Sequence, residues 1–309
     1  MNILILGAAG FIGTNLTIEL AKNNDDKITL VDKNLSYFDQ DIFFDNIEII
    51  ESSLDSNMDY SIFKDKDIVY HLVSTNVPTT SNQHISQDIQ SNVVFSSYLF
   101  EACIKYGVKK VVFISSGGTV YGKESKCPIN EDMPTNPISS YGIQKLMIEK
   151  LLYLYNYMYG LDYRIIRLAN PYGPFQRPNG MLGAVTTFTY KALTGDEITV
   201  YGDGSVIRDF IYIDDVIKGI QNIVFGSSNH RVFNLGSGYG ISIKELLETI
   251  KKVLDCELNV RYHQSRSVDV PTNYLDISRY EDAYGNLNPI PLEEGIKRTA
   301  DFMKRKKQQ

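Results

Sequence analysis

Through the first half of the chain, short β-branched apolar runs alternate with longer stretches of helical periodicity. The runs at 1–6, 27–31, 47–50, 67–74, 111–114 and 163–168 are each of the length and composition of a buried strand. Helical patterns occupy 14–22, 89–106 and 141–159. Such alternation predicts an α/β fold class, with a parallel sheet and right-handed crossovers. The last helical stretch is apolar on more than one side, through Leu146, Met147, Leu151, Leu152, Leu154, Tyr155, Tyr157 and Met158. So wide an apolar face needs two partners. Burial within one chain would satisfy it, and so would a second copy. No repeat, low-complexity segment or Pro/Gly-rich linker interrupts the pattern, so a second domain is expected to be woven into the first.

The first strand, for which no leader is expected, runs directly into Gly7-Ala8-Ala9-Gly10-Phe11-Ile12-Gly13, after which a helix begins. A Gly-rich turn between strand and helix lets backbone N–H groups approach a pyrophosphate at the positive helix end. Gly7 permits the tight turn, Gly10 keeps a side chain out of the phosphate path, and Gly13 lets the helix close onto the sheet. Phe11 and Ile12 lie in the same turn and are expected to contact the cofactor with it. An ordinary β–α turn could also use three glycines. Asp32 argues against that, because it closes the second strand about 20 residues on, where an acidic group accepts both ribose hydroxyls. Its charge repels a 2′-phosphate and no Arg follows at once, so NAD is expected rather than NADP.

The candidate chemistry lies between Ser115 and Lys145. The strand at 111–114 leads into Ser115-Ser116-Gly117-Gly118-Thr119-Val120-Tyr121, and Tyr141 and Lys145 sit four apart at the start of the next helix. That spacing puts their Cβ atoms roughly 5–6 Å apart. A phenol, with a reference pKa of about 10, is too weakly acidic to serve as a base at neutral pH. A nearby ammonium is expected to lower that value.

Together, the glycine turn, Asp32, the strand ending in Ser115-Ser116 and Tyr141-x-x-x-Lys145 resemble the extended short-chain dehydrogenase/reductase family. Within it, the chain is most similar to nucleotide-sugar epimerases of the UDP-glucose 4-epimerase type. The resemblance covers nearly the whole chain and does not fix the sugar. It implies a Rossmann-type doubly wound parallel sheet with a smaller, interwoven C-terminal substrate domain. Residues 1–169 and 205–236 would bind NAD, and residues 170–204 and 237–309 the nucleotide sugar.

The same resemblance distributes roles along the chain. Ser53 and Leu54 would frame the adenine, with Ser53 standing where the family usually carries Asp. Leu72, Val73 and Ser74 would lie beside the cofactor's ribose and pyrophosphate, and Ser115 would border the cofactor too. Thr75 and Gly117 would contact the substrate, Asn170 its diphosphate, and the backbone of Val200 and Tyr201 its uracil. Arg208 and Arg266 would grip the phosphates and Asp269 the nucleotide ribose; two guanidiniums can offset a diphosphate's charge with bidentate bonds. The implied activity is 4-epimerisation of a UDP-hexose, UDP-N-acetylhexosamine or UDP-uronate through a transient 4-keto sugar. Tyr141 would take the C4 hydroxyl proton while NAD takes the hydride, and Lys145 would hold the nicotinamide ribose. The resemblance further implies a homodimer, its paired helices forming a four-helix bundle.

One position departs from the pattern. Four residues before Tyr121 the family usually has Ser or Thr, which relays the C4 proton; this chain has Gly117. On a regular strand residues two apart share a face, which would put Thr119 and Ser115 on Gly117's side. Thr119 is therefore the candidate replacement. Dehydratases of the family resemble Thr-Asp-Glu where this chain has Gly117-Gly118-Thr119, which disfavours dehydration. A decarboxylase on the same scaffold and a non-catalytic nucleotide sensor complete the alternatives.

Composition narrows the partners. With 43% hydrophobic and 22% charged residues, the chain has the make-up of an ordinary globular enzyme. A net charge of −6 disfavours nucleic acid or an anionic membrane as bulk partner. The basic run at 304–307 reads as a solvated helix end. Cys103, Cys127 and Cys256 lack metal-ligand spacing and read as reduced packing residues, and no metal is expected. His71 reads as a packed or hydrogen-bonded core residue. Without a signal peptide or an apolar run near 18 residues, a cytoplasmic location is expected, with a role in carbohydrate metabolism and polysaccharide biosynthesis.

Overall fold

In the computed structural model, the strands β1 (Asn2–Leu6), β2 (Lys27–Asp32), β3 (Ile47–Glu51), β4 (Ile68–His71) and β5 (Lys110–Ser116) follow the predicted runs closely. With β6 (Asp162–Leu168) and β11 (Val232–Leu235) they make a seven-stranded sheet in the order β11-β6-β5-β4-β1-β2-β3. β1 pairs in parallel with β2 and β4, β2 with β3, and β4 with β5. This is the doubly wound Rossmann arrangement. The order reverses between β1 and β4, and ligands of such sheets bind outside the carboxyl ends of the strands at that switch point. The structure describes residues 1–309 apart from 39–41, 43, 77, 79–80, 124–125, 179–182, 266–269 and 309.

Two compact units divide the chain, the first comprising Met1–Val120, Ser139–Ile166 and Ser228–Val232. Its strand β1 is apolar on both faces because both are covered: Ile3, Leu4, Ile5 and Leu6 are all fully buried. One core gathers Leu4, Val69, Leu99, Phe113, Leu152 and Ile165. The helix α1 (Phe11–Leu20) follows the glycine turn. The helical pattern at 89–106 is not one regular helix. It consists of α2 (Ile85–Ile89), a π-helical turn at Gln90–Val94, and α3 (Phe95–Tyr106). α4 (Ser140–Tyr159) starts where the Ser139 hydroxyl accepts from the Gly142 N–H at 3.2 Å and ends at Gly160, which is left-handed. It buries Ile148 and Leu152 inward, whereas Ile143, Met147, Leu154, Tyr157 and Met158 remain exposed.

The second unit comprises Tyr121–Ile138, Arg167–Ser227 and Phe233–Gln309. Its strands are short. β7 (Asn170–Tyr172) pairs with β10 (Phe210–Tyr212), and β8 (Ile198–Tyr201) with β13 (Val260–His263). β9 (Ile207–Arg208) lies between β12 (Ile241–Ser242) and β14 (Thr272–Asn273). A small core of Ile198, Val200 and Leu247 joins β8 to α7 (Ile243–Leu254). Among the described residues, no helix is long and apolar enough to cross a membrane, and no group of His, Cys, Asp or Glu could hold a metal ion.

Leu99 is fully buried on α3, so Leu99→Ala should destabilise the protein by about 2–5 kcal/mol, the cost of lost burial plus the cavity left behind. Chemical denaturation of both proteins measures this; a loss below about 0.5 kcal/mol would show that this core does not support the sheet.

Candidate active site

The glycine turn is built from close backbone approaches. Gly7 has φ +80°, and a Cβ there would come within 3.1 Å of the Leu72 carbonyl carbon and 3.2 Å of the Val73 nitrogen. The Leu72 N–H also donates to the Leu6 carbonyl at 3.0 Å. The ends of β1 and β4 therefore meet, bringing Leu72 and Val73 beside the turn. A Cβ on Gly13 would lie 2.5 Å from the Ala8 carbonyl oxygen. Gly13 thus lets α1 close onto the turn's own backbone rather than onto the sheet. No side chain caps the start of α1 at Gly10. The carboxylate of Asp32 is buried against the same turn, accepting from the Ala9 N–H at 2.9 Å and the Lys33 N–H at 2.8 Å. The Ser52 N–H donates to the Asp32 carbonyl at 3.0 Å, which brings the end of β3 alongside. Just beyond it, Ser53 is exposed and Leu54 half-buried.

Tyr141 and Lys145 share one face of α4. The Lys145 ammonium is 5.6 Å from the centre of the Tyr141 ring and 4.8 Å from that of Phe113, and it donates to the Ile114 carbonyl at 2.9 Å. The expected lowering of the phenol is not what this arrangement gives. Burial pushes Tyr141 up to about 12, opposed only by a hydrogen bond with the Ser74 hydroxyl. Burial also pulls the Lys145 amine down to about 8, opposed by the negative Glu149, but the direction of the Tyr141 shift is set by the phenol's own burial. Desolvation of the phenol therefore outweighs the field of its neighbour.

Around this pair lies a polar cluster. Ser115, at the end of β5, donates to Glu149 Oε1 at 2.5 Å, and Ser115, Lys145 and Glu149 are all buried. Glu149 repeats the spacing of four that joins Tyr141 to Lys145, a signal legible in the sequence but not used there. Gln144 accepts from Asn92 Nδ2 at 2.8 Å and Asn76 Nδ2 at 3.3 Å. Asn92 Oδ1 in turn accepts from the Thr75 N–H at 3.0 Å. The π-helical turn carries Asn92, and that irregularity has no signature in the apolar pattern. His71 is buried, its Nε2 2.8 Å from Ser96 Oγ; burial and the Lys145 charge hold the imidazole down at about 3. It is neutral at physiological pH, a packed core histidine that is hydrogen-bonded through Nε2 while its buried Nδ1 has no partner among the described residues.

Strand alternation does not extend past Ser116. The Thr119 and Val120 N–H groups both donate back to the Ser116 carbonyl, at 3.3 and 3.1 Å, so residues 117–119 form a turn. The facing argument for Thr119 therefore has no strand beneath it. The side chain remains notable for another reason. Its hydroxyl oxygen is buried and, among the described residues, has no hydrogen-bond partner.

In the second unit, Asn170 Nδ2 donates to the Asp209 carbonyl at 2.9 Å, and Arg208 Nη1 donates to the carbonyls of Ile207 and Val270, at 2.8 and 2.6 Å. Val200 is buried on β8, while the Tyr201 ring is exposed, 5.9 Å from the ring of His263. Arg266 and Asp269 lie outside the described residues.

The sequence profile described as "NAD dependent epimerase/dehydratase family" matches residues 3–236. The chain belongs to that family. A UDP-glucose 4-epimerase of Mycolicibacterium smegmatis is 34% identical over 316 residues, spanning 100% of both chains. The crystal structure of a UDP-glucose 4-epimerase with UDP-glucose from Thermotoga maritima superposes with a TM-score of 0.90 at 33% identity, covering 99% of each chain. The UDP-N-acetylglucosamine 4-epimerase of Methanobrevibacter ruminantium, in complex with UDP-N-acetylmuramic acid, also has a TM-score of 0.90, at 31% identity, covering 99% of this chain and 98% of that one.

The residues present fit the NAD that this family uses. Gly7 carries no side chain where a Cβ would crowd the Leu72 backbone, the helix start has no side-chain cap, and an acidic group closes β2. Replacing Asp32 by Ala should narrow the preference for NAD over NADP at least ten-fold, because it removes the charge that repels a 2′-phosphate. It should also weaken NAD itself, since the Ala9 N–H loses its acceptor. Dissociation constants for both cofactors decide this, and tighter binding of NADP than NAD by the unaltered enzyme would refute it.

Proposed function

We propose that this family member is a UDP-sugar 4-epimerase that inverts C4 through a transient 4-keto sugar. The observation carrying the proposal is the Tyr141–Lys145 pair, the amine buried at the carboxyl end of β5. Full-length similarity to UDP-sugar 4-epimerases supports it. In this reading Tyr141 takes the proton from the C4 hydroxyl and later returns it. Lys145 holds the nicotinamide ribose and supplies positive charge to the phenolate. Bound NAD would supply the reversible hydride acceptor for C4. The cofactor is framed by the turn at Gly7, Gly10, Phe11, Ile12 and Gly13, by Asp32, Ser53 and Leu54, by Leu72, Val73 and Ser74, and by Ser115.

For the substrate we assign Thr75 and Gly117 to the sugar, and Asn170, Val200, Tyr201, Arg208, Arg266 and Asp269 to the nucleotide. Residues 1–169 with 205–236 form the cofactor domain in this assignment, and 170–204 with 237–309 the substrate domain. Homodimerisation through α3 and α4 is part of the proposal, supported by the apolar side chains that α4 leaves exposed, among them Met147, Leu154 and Met158. A cytoplasmic setting is supported by the three free cysteines, the state that a reducing compartment maintains. A place in polysaccharide biosynthesis follows from the product class.

Incubation with UDP-hexoses, UDP-N-acetylhexosamines and UDP-uronates, read by NMR, tests the activity: a C4 epimer supports it, and a 4-keto-6-deoxy or decarboxylated product, or no change with any sugar, refutes it. Tyr141→Phe should retain fold and NAD binding yet lose turnover by at least a thousand-fold; activity within a few-fold of the parent would remove Tyr141 as the base.

Thr119 is assigned the hydroxyl that Gly117 lacks, because an unpartnered buried hydroxyl gains most from a ligand oxygen. Thr119→Val should then lower kcat by roughly 10- to 150-fold, the equivalent of about 1.5–3 kcal/mol for a hydrogen bond to developing charge. A change of less than about two-fold would transfer the proton relay to an ordered water.

A further inference from the structure

We propose that Glu149 is a positioning residue: its carboxylate, anchored by the Ser115 hydroxyl, is the buried counter-charge that keeps Lys145 an ammonium. The inference rests on the proposed Tyr141–Lys145 pair, and it gives a role to a residue that neither the glycine turn nor the proton-transfer groups include. Glu149 lies one helical turn beyond Lys145 on α4, where side chains four apart meet. Both are buried, at 4% and 7% exposure. An amine so far from water loses its proton unless a negative group stands close. A carboxylate so placed needs partners of its own, and Ser115 supplies one at 2.5 Å. The last residue of the buried part of β5 is thus tied to the same helix that carries Tyr141.

The other groups facing the pair do not replace this charge. His71 on β4 faces Lys145, but it is neutral near pH 7 and its protonation would only oppose the ammonium. Tyr141 faces it from the same helix and is also neutral, with its phenol held high by burial. Tyr163 on β6 faces Glu149 and is likewise pushed up by burial, with Glu149 adding to the shift. Lys145 also meets the Ile114 carbonyl and the Phe113 ring, which orient an ammonium without carrying a negative charge. Glu149 is the anion among these groups.

The sign of the effect follows directly. Removing a negative neighbour disfavours the ammonium, so Lys145 should titrate at lower pH in Glu149→Gln, a variant that keeps the shape and can still accept from Ser115. The test labels lysine with carbon-13 at Cε, assigns Lys145 by its loss in Lys145→Met, and follows its shift against pH in the cofactor-free protein. Glu149→Gln should lower the titration by at least one unit, a ten-fold change in the protonation constant. The alkaline limb of its kcat profile should move down by the same amount. An unchanged Lys145 titration overturns the proposal. A titration that moves while the kcat profile stays put leaves the charge role standing and refutes the Tyr141–Lys145 mechanism instead. Should Glu149→Gln fail to fold, Glu149→Asp decides, because it keeps the charge but withdraws it by one methylene. It should displace the titration downward by less and recover part of the turnover, and a Lys145 titration identical to the parent overturns the proposal.

Discussion

A charged amine kept out of water at the carboxyl end of a parallel sheet is the constraint on which the candidate site depends. Burial takes Lys145 down to about 8 and raises the neighbouring phenol to about 12. Left to desolvation alone, both groups would drift towards their neutral forms, and neither would move a proton. The surrounding structure opposes that drift through the carbonyl of Ile114, the ring of Phe113 and the carboxylate of Glu149, all fixed by β5 and α4. The sheet's doubly wound order places the ends of β1 and β4 at the switch point, where glycines admit close backbone approach. The glycine turn and the Tyr141–Lys145 pair thus lie at the carboxyl ends of strands of one sheet.

That dependence alters the account of the phenol. Helical spacing brings Tyr141 and Lys145 together, but spacing carries no information about solvent, and solvent sets the direction of the shift here. In the proposed mechanism the phenolate forms when positive charge is assembled around it. The cofactor-free protein accordingly holds a neutral tyrosine.

The sequence made β1, β2, β4 and β5 legible because they are buried along most of their length and stand out as short apolar runs, whereas the half-exposed β3 is marked only by Ile47, Ile49 and Ile50 around Glu48. It made the glycine turn and Asp32 legible because close backbone approach requires glycine and because an acidic residue closes the second strand at the spacing expected of a ribose acceptor. Other features escaped for physical reasons. The π-helical turn at Gln90–Val94 keeps the apolar periodicity of the helix around it, so nothing separates 89–106 into parts. Alternation beyond Ser116 fails because Gly117 and Gly118 permit a turn, a signal that outranks the pleat. Glu149 was present in the spacing, but a glutamate on a helix is ordinarily solvated, and only its burial distinguishes it. The roles given to Arg266 and Asp269 stand on resemblance alone.

The central claim is that C4 is oxidised and reduced in place, with its own hydride returned. The most direct measurement is to supply the preferred UDP-sugar with deuterium at C4, in ordinary water, and to read the C4 position of substrate and epimer by NMR. The account predicts that the epimer forms with deuterium retained at C4, because the hydride never reaches solvent. Epimer formed with protium at C4 would contradict it, since inversion would then proceed by exchange with water rather than by transient oxidation.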